Sequence, residues 1–176
     1  KVQDFYTEKY GVVHPTKAGL KIPEIFDAAI NKEVKALWII GEDIVQTDPN
    51  SAHVVEAMNS LELLVVQEIF MSETAKLATV VLPGTTFLEK DGTFTNTERR
   101  IQRVNRAAEP LPGTKPDGVI VTDMMQKLGF NQPTYDADQV LAEIADVVPF
   151  FKGVTRERLG KLGLQWPVQE DGADTQ

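Results

Sequence analysis

The chemistry available to this sequence rests on oxygen acceptors placed directly after short apolar runs. "ALWII" is followed by Gly41-Glu42-Asp43 with Gln46 and Thr47, "LELLVV" by Gln67-Glu68, and "TVVL" by Pro83-Gly84-Thr85-Thr86. Asp117 sits further on, in "GTKPDG". Ionised carboxylates only accept hydrogen bonds, so Asp43, Glu68 and Asp117 suit a ligand that offers paired donors. Guanine presents such a pair in its N1–H and N2 amino group, and ribose hydroxyls donate as well. A plainer reading stands beside this one. Strands must end in something polar and turn-compatible, and Asp117 could simply favour a helix N-terminus and cap nearby amides. Repetition at three successive strand ends makes the two readings about equally strong.

The stretch "FLEKDGTFTNTERRIQ", Phe87 to Gln102, is crowded with charge, including Lys90, Arg99 and Arg100. As exposed charges on a solvated loop these would need no explanation. However, Phe87, Phe94 and Ile101 are interleaved with them, which predicts a mostly irregular loop docked by its apolar side chains. Charges held in that way are partly desolvated and need partners.

The elements that must position these groups follow from hydrophobic periodicity. Ile22, Ile25, Phe26, Ala29 and Ile30 have helical spacing, with Pro23 as a first-turn residue. "ALWIIG" reads as a buried strand, "TDPNS" as a turn with helix caps, and Val54, Val55, Met58 and Leu61 as a helix leading to a second strand, "LELLVVQ". Strand, helix, strand is the order of a βαβ unit. "MSETAKLA" predicts one or two helical turns before a third strand, "TVVLPG". Pro116 and Asp117 start a helix through Val121, Met124, Met125 and Leu128, and a last helix is carried by Ala137, Val140, Leu141, Ile144, Ala145 and Val148. The predicted class is α/β: a Rossmann-like three-layer domain with a small parallel sheet flanked by helices. In such sheets ligands bind beyond the carboxyl ends of the strands, which is where the acceptors lie. The domain is expected over 1–165, with a polar, frayed tail over 166–176.

Composition narrows the function further. A chain of 176 residues with 42% hydrophobic content can bury a real core. A net charge of −8 argues against nucleic acid as the partner, Arg99 to Arg106 being the one local exception. With no cysteine and two distant histidines, His14 and His53, the chain has no expected metal ligands and no catalytic residue of its own. No window approaches the roughly 18 apolar residues of a membrane span, so a soluble, cytoplasmic protein is expected. Neither GxGxxG nor GxxxxGK[ST] occurs, so an ordinary nicotinamide site or P-loop has no support.

Three separated motifs, "ALWIIGEDIVQTDPN", "LLVVQEIFMSETAKLATVVLPGTTFLEKDGTFTNTERRIQRV" and "GTKPDG", occur in this order. Together they closely resemble the catalytic subunit of molybdopterin-dependent formate dehydrogenases, within the DMSO reductase superfamily. The match runs from about Ile22 to Pro167. Periplasmic and assimilatory nitrate reductases look similar over the same segments, and a non-catalytic binding or assembly module of the same fold is a further alternative. The resemblance implies a large enzyme that carries molybdenum or tungsten on molybdopterin guanine dinucleotide, with a 4Fe-4S cluster elsewhere in the parent subunit. This chain would be an internal segment holding part of one dinucleotide, inactive by itself. Its partners would be the rest of the same subunit and iron–sulfur or other electron-transfer subunits. Carried over by position, the implied cofactor contacts are Asp43, Thr47, Gln67, Glu68, Lys90 and Asp117. Two of them depart from the family's pattern: Glu68 stands where relatives often have Asp, and Lys90 is replaced in some formate dehydrogenases.

Overall fold

The computed structural model describes residues 2–168. Its first half alternates helix and strand: α1 Val2–Tyr10, α2 Ile22–Ile30, β1 Ala36–Ile40, α3 Ile44–Thr47, α4 Ser51–Ser60, β2 Leu63–Glu68, α5 Glu73–Lys76 and β3 Val80–Pro83. The local chemistry explains the boundaries. In α2, Pro23 sits in the first turn, and the Glu24 carboxylate accepts from the Lys21 amide at 2.8 Å. α4 starts at Asn50, whose side-chain oxygen accepts from the His53 amide, and α5 starts at Ser72, whose hydroxyl accepts from the Ala75 amide. α1 lies in a segment where the sequence suggested no element. It rests against the later part of the chain through a Lys9–Asp146 ion pair and a Tyr10 hydroxyl donating to Glu143 at 2.7 Å.

β1, β2 and β3 form one parallel sheet in the order 1-2-3. The register pairs Trp38 and Val80 with Val65, and Ile40 and Leu82 with Gln67. Because side chains alternate along a strand, this places Leu64 and Val66 on one face and Val65 and Gln67 on the other. The first face packs under α2 and α4 in a core of Phe26, Ala29, Val54, Ala57, Met58, Leu64 and Val66. Burying side chains such as Leu64 or Val54 contributes roughly 2 kcal/mol each. The second face stays partly open, since Ile40, Leu63 and Val80 keep 48%, 40% and 42% of their surface exposed.

Beyond β3 the structure corrects the expectation of an irregular loop. After a 3-10 turn at Phe87–Glu89, the chain forms an antiparallel hairpin of β4 Gly92–Thr95 and β5 Arg100–Val104. Alternation in "GTFT" and "RIQRV" carries the strands, and Asn96 makes the turn by accepting from the Glu98 and Arg100 amides at 2.9 Å. Arg99 takes a positive φ of 65° there. The docking by apolar side chains holds at Ile101, which is fully buried, while Phe87 and Phe94 meet edge to face with their centroids 6.5 Å apart.

α6 Asp117–Lys127 and α7 Ala137–Val147 follow, then a 3-10 turn, α8 Arg156–Leu159 and β6 Leu164–Gln165. β6 pairs with β5, so this second sheet ties the end of the chain to the hairpin. At Gly163, φ is 75° and a Cβ would lie 2.2 Å from the Ile101 carbonyl oxygen, so only glycine fits. Leu141, Ile101, Val154, Leu159 and Val168 close a second core. Within the span expected as a tail, 166–176, Val168 is fully buried and Trp166 lies under the Arg99 guanidinium at 5.5 Å. The rest of that tail lies outside the described residues.

Candidate functional site

The carboxyl edge of the parallel sheet gathers the acceptors that the sequence singled out, but in two separate constellations. The first is built on Asp43, at the start of α3. Its carboxylate accepts from the Thr74 amide at 2.9 Å, the Thr74 hydroxyl at 2.6 Å, the Gln46 side-chain amide at 2.5 Å and the Glu73 amide at 3.3 Å. Thr74, itself fully buried, also accepts from the Val45 amide at 3.1 Å. Asp43 thus joins the end of β1 to the N-terminus of α5. Burial alone would raise its pKa. The bonds from Thr74, Gln46 and the Glu73 amide outweigh that and hold it below the usual carboxylate range. Thr47 is exposed on α3, its hydroxyl donating to Glu42 at 3.3 Å.

The second constellation joins Gln67, Lys90 and Asp117. Gln67, on the open face of β2, is 1% exposed, and its amide nitrogen donates to Asp117 Oδ1 at 2.8 Å. Lys90 follows the 3-10 turn and reaches Asp117 Oδ2 at 2.5 Å and the Thr85 carbonyl at 3.4 Å. That turn is braced by Glu89, which accepts from the Thr86 amide and hydroxyl at 2.9 Å and from the Leu111 amide at 3.0 Å. Burial pushes Asp117 upward, but Lys90 and Gln67 more than offset it, so Asp117 stays ionised below its ordinary value. Glu68 turns back on its own loop and accepts from the Ile69 amide at 2.7 Å.

Two buried polar atoms beside this cluster have no hydrogen-bond partner: Gln67 Oε1 and Thr85 Oγ1. Turning the Gln67 amide over would set its oxygen against the Asp117 carboxylate, so the orphan is a consequence of the site. An unpartnered buried acceptor costs roughly 1–3 kcal/mol, which a donor from a ligand would recover. Gly84 closes one side, because a Cβ there would come within 3.2 Å of Asp117 Oδ1. Tyr135 closes another. Its ring lies so near the first turn of α6 that a Cβ on Gly118 would be 2.1 Å from it. Replacing Gly118 with Ala should therefore displace Tyr135 and lower thermal stability, while Tyr135→Ala in the same background should restore part of the loss. Melting curves of the two variants check this.

Of the residues selected from sequence, Gln67, Lys90 and Asp117 meet, Asp43 is engaged by α5, and Thr47 at the end of α3 and Glu68 at the end of β2 join neither constellation. Thr74 and Tyr135 were not selected, since a threonine inside "SETAK" and a lone tyrosine carry no local signal. The 2-His content offers little for metals, and among the described residues no group of three His, Asp or Glu side chains could hold a metal ion.

A parallel α/β sheet whose carboxyl edge gathers acceptors and buried orphan oxygens has the arrangement in which open α/β sheets bind ligands. The chain belongs to the molybdopterin oxidoreductase family, whose model matches residues 11–127. It is 45% identical over 168 residues to the F420-dependent formate dehydrogenase 1 subunit alpha of Methanococcus maripaludis, covering 93% of this chain and 24% of that protein. It is 42% identical over 176 residues to the probable oxidoreductase YjgC of Bacillus subtilis, covering 99% of this chain and 18% of that protein. The fold matches that of acetylene hydratase from Pelobacter acetylenicus with a TM-score of 0.65 at 22% identity, over 89% of this chain and 22% of the other. The chain thus spans less than a quarter of the length of these proteins. None of its described helices is long and apolar enough to cross a membrane.

Proposed function

We propose that this chain is the segment of a cytoplasmic formate dehydrogenase catalytic subunit that holds the guanosine part of a molybdopterin guanine dinucleotide. The observation that carries this reading is the Gln67–Lys90–Asp117 cluster with its two orphaned oxygens. A family that uses molybdopterin and relatives named as formate dehydrogenases support the choice of ligand and substrate. In the bound state Asp117 accepts from the base, and the Gln67 oxygen and Thr85 hydroxyl take up donors that would otherwise be lost. Glu68 and Thr47 face ribose hydroxyls, Lys90 faces the polar remainder of the nucleotide, and Asp43 fixes the start of α3, which carries Thr47. When bound, the cofactor's molybdenum or tungsten accepts the electrons that formate releases on becoming carbon dioxide. A 4Fe-4S cluster in the rest of the subunit and electron-transfer subunits would carry them onward. The open face of the sheet, with Ile40, Leu63 and Val80, is covered in this reading by the remainder of the same subunit, as parallel sheets are normally covered on both sides.

The test uses the full-length subunit, purified anaerobically. It should release GMP on acid hydrolysis and reduce an artificial acceptor with formate. A cofactor-loaded subunit that turns over nitrate instead of formate would overturn the substrate, and one whose hydrolysate contains no GMP would overturn the dinucleotide.

A further inference from the structure

Both oxygens of Asp117 already have partners inside the chain: Oδ1 accepts from Gln67 at 2.8 Å and Oδ2 from Lys90 at 2.5 Å. The two partners differ in how easily they can leave. Gln67 is 1% exposed and fixed in the middle strand of the sheet, and on the Oδ1 side Gly84 lies so near that an added Cβ would be 3.2 Å away. Lys90 ends on a flexible four-carbon stem and is partly exposed. It also has somewhere to go. Its side chain borders both a cavity of about 240 Å³ shared with Asp117, Gly118 and Tyr135, and one of about 500 Å³ that opens toward Glu89, Asp91 and Asp136. Arg106 and Arg156 also line that second cavity, but its four acidic residues, Glu89, Asp91, Asp136 and Asp138, outnumber them and can receive an ammonium that leaves Asp117.

We propose that Lys90 is an internal stand-in for the ligand's donors: it occupies Asp117 in the free protein and must swing aside before a base can engage that carboxylate. This rests on the guanosine reading of the site and adds to it the exchange by which binding occurs. The exchange replaces an ion pair with hydrogen bonds from neutral donors to the same carboxylate and leaves the ammonium to find another partner, so the free protein resists ligands that bring donors without a negative group to attract it. Lys90 therefore acts as a specificity residue that disfavours a bare nucleoside.

The test titrates guanosine and inosine against the cofactor-free full-length subunit and its Lys90→Met and Lys90→Gln variants, with binding read by calorimetry and folding by thermal melting. Removing the ammonium should tighten guanosine binding about fivefold, the equivalent of roughly 1 kcal/mol for a partly exposed ion pair. Inosine, which lacks the N2 amino donor, should gain less. If folded Lys90 variants bind guanosine as the wild type does, or more weakly, the stand-in role is overturned while the guanosine site stands. If neither the wild type nor the variants bind guanosine, the reading of the site fails and this inference with it.

Discussion

Asp117→Ala in the full-length subunit is expected to cut retention of the guanosine-bearing cofactor by roughly ten- to a hundredfold, the equivalent of about 1.5–3 kcal/mol for hydrogen bonds to a charged group. The substitution removes the acceptor that Gln67 and Lys90 share, leaving a buried amide and a partly buried ammonium without it. Asp117→Asn is not a mild control, because its amide hydrogens would face those of Gln67 or the Lys90 ammonium. The loss should show in the bound guanine and metal content of purified protein. Subunits that do retain cofactor should keep the wild-type preference between formate and alternative substrates, because in the proposed reading Asp117 holds the guanosine end and not the reacting centre. A purified variant with full metal content would refute the assignment.

Asp43→Ala is expected to act on folding first. Four donors converge on this carboxylate, two of them from the buried Thr74. Their loss should lower stability by about 3 kcal/mol, or roughly 6–12 °C in melting temperature for a chain of this size. The same carboxylate sets an acid limit. Its pKa is depressed in the folded chain, so its contribution is fully present above the unfolded value near 3.9 and is lost as pH falls through the lower folded value. Asp117 has the same sign. Denaturant titrations of the wild type should therefore show stability falling below about pH 4, and Asp43→Ala should flatten that fall. A variant as stable as the wild type at neutral pH would show that the bonds between Asp43 and α5 contribute nothing net.

Much of the architecture was legible in one dimension because it depends on local periodicity. Ile22, Phe26 and Ala29 recur at helical spacing, and "ALWII" and "TVVL" are short apolar runs bounded by turn residues that form strands, although β1 and β3 are exposed at their ends and only half-buried between rather than buried throughout. The hairpin was missed because charge dominates its composition. Its signal, alternation in "GTFT" about a turn at Asn96, is short and concerns only one residue in two. α1 was missed because its apolar stripe is weak and its tertiary partners, Asp146 for Lys9 and Glu143 for Tyr10, lie on α7 more than a hundred residues away.

The same division runs through the site. By itself the sequence determined that polar residues follow each strand, and so that a parallel sheet would present Asp43, Gln67, Glu68 and Thr85 along one edge. Only the tertiary structure decided which of them meet. Gln67 and Asp117 are fifty residues apart and touch because α6 begins over the open face of the sheet. Asp43 belongs to the same edge but turns to α5, whose free amides and Thr74 hydroxyl compete for it successfully. A carboxylate goes where unpaired donors converge, and that convergence is a property of packed elements that no local spacing encodes.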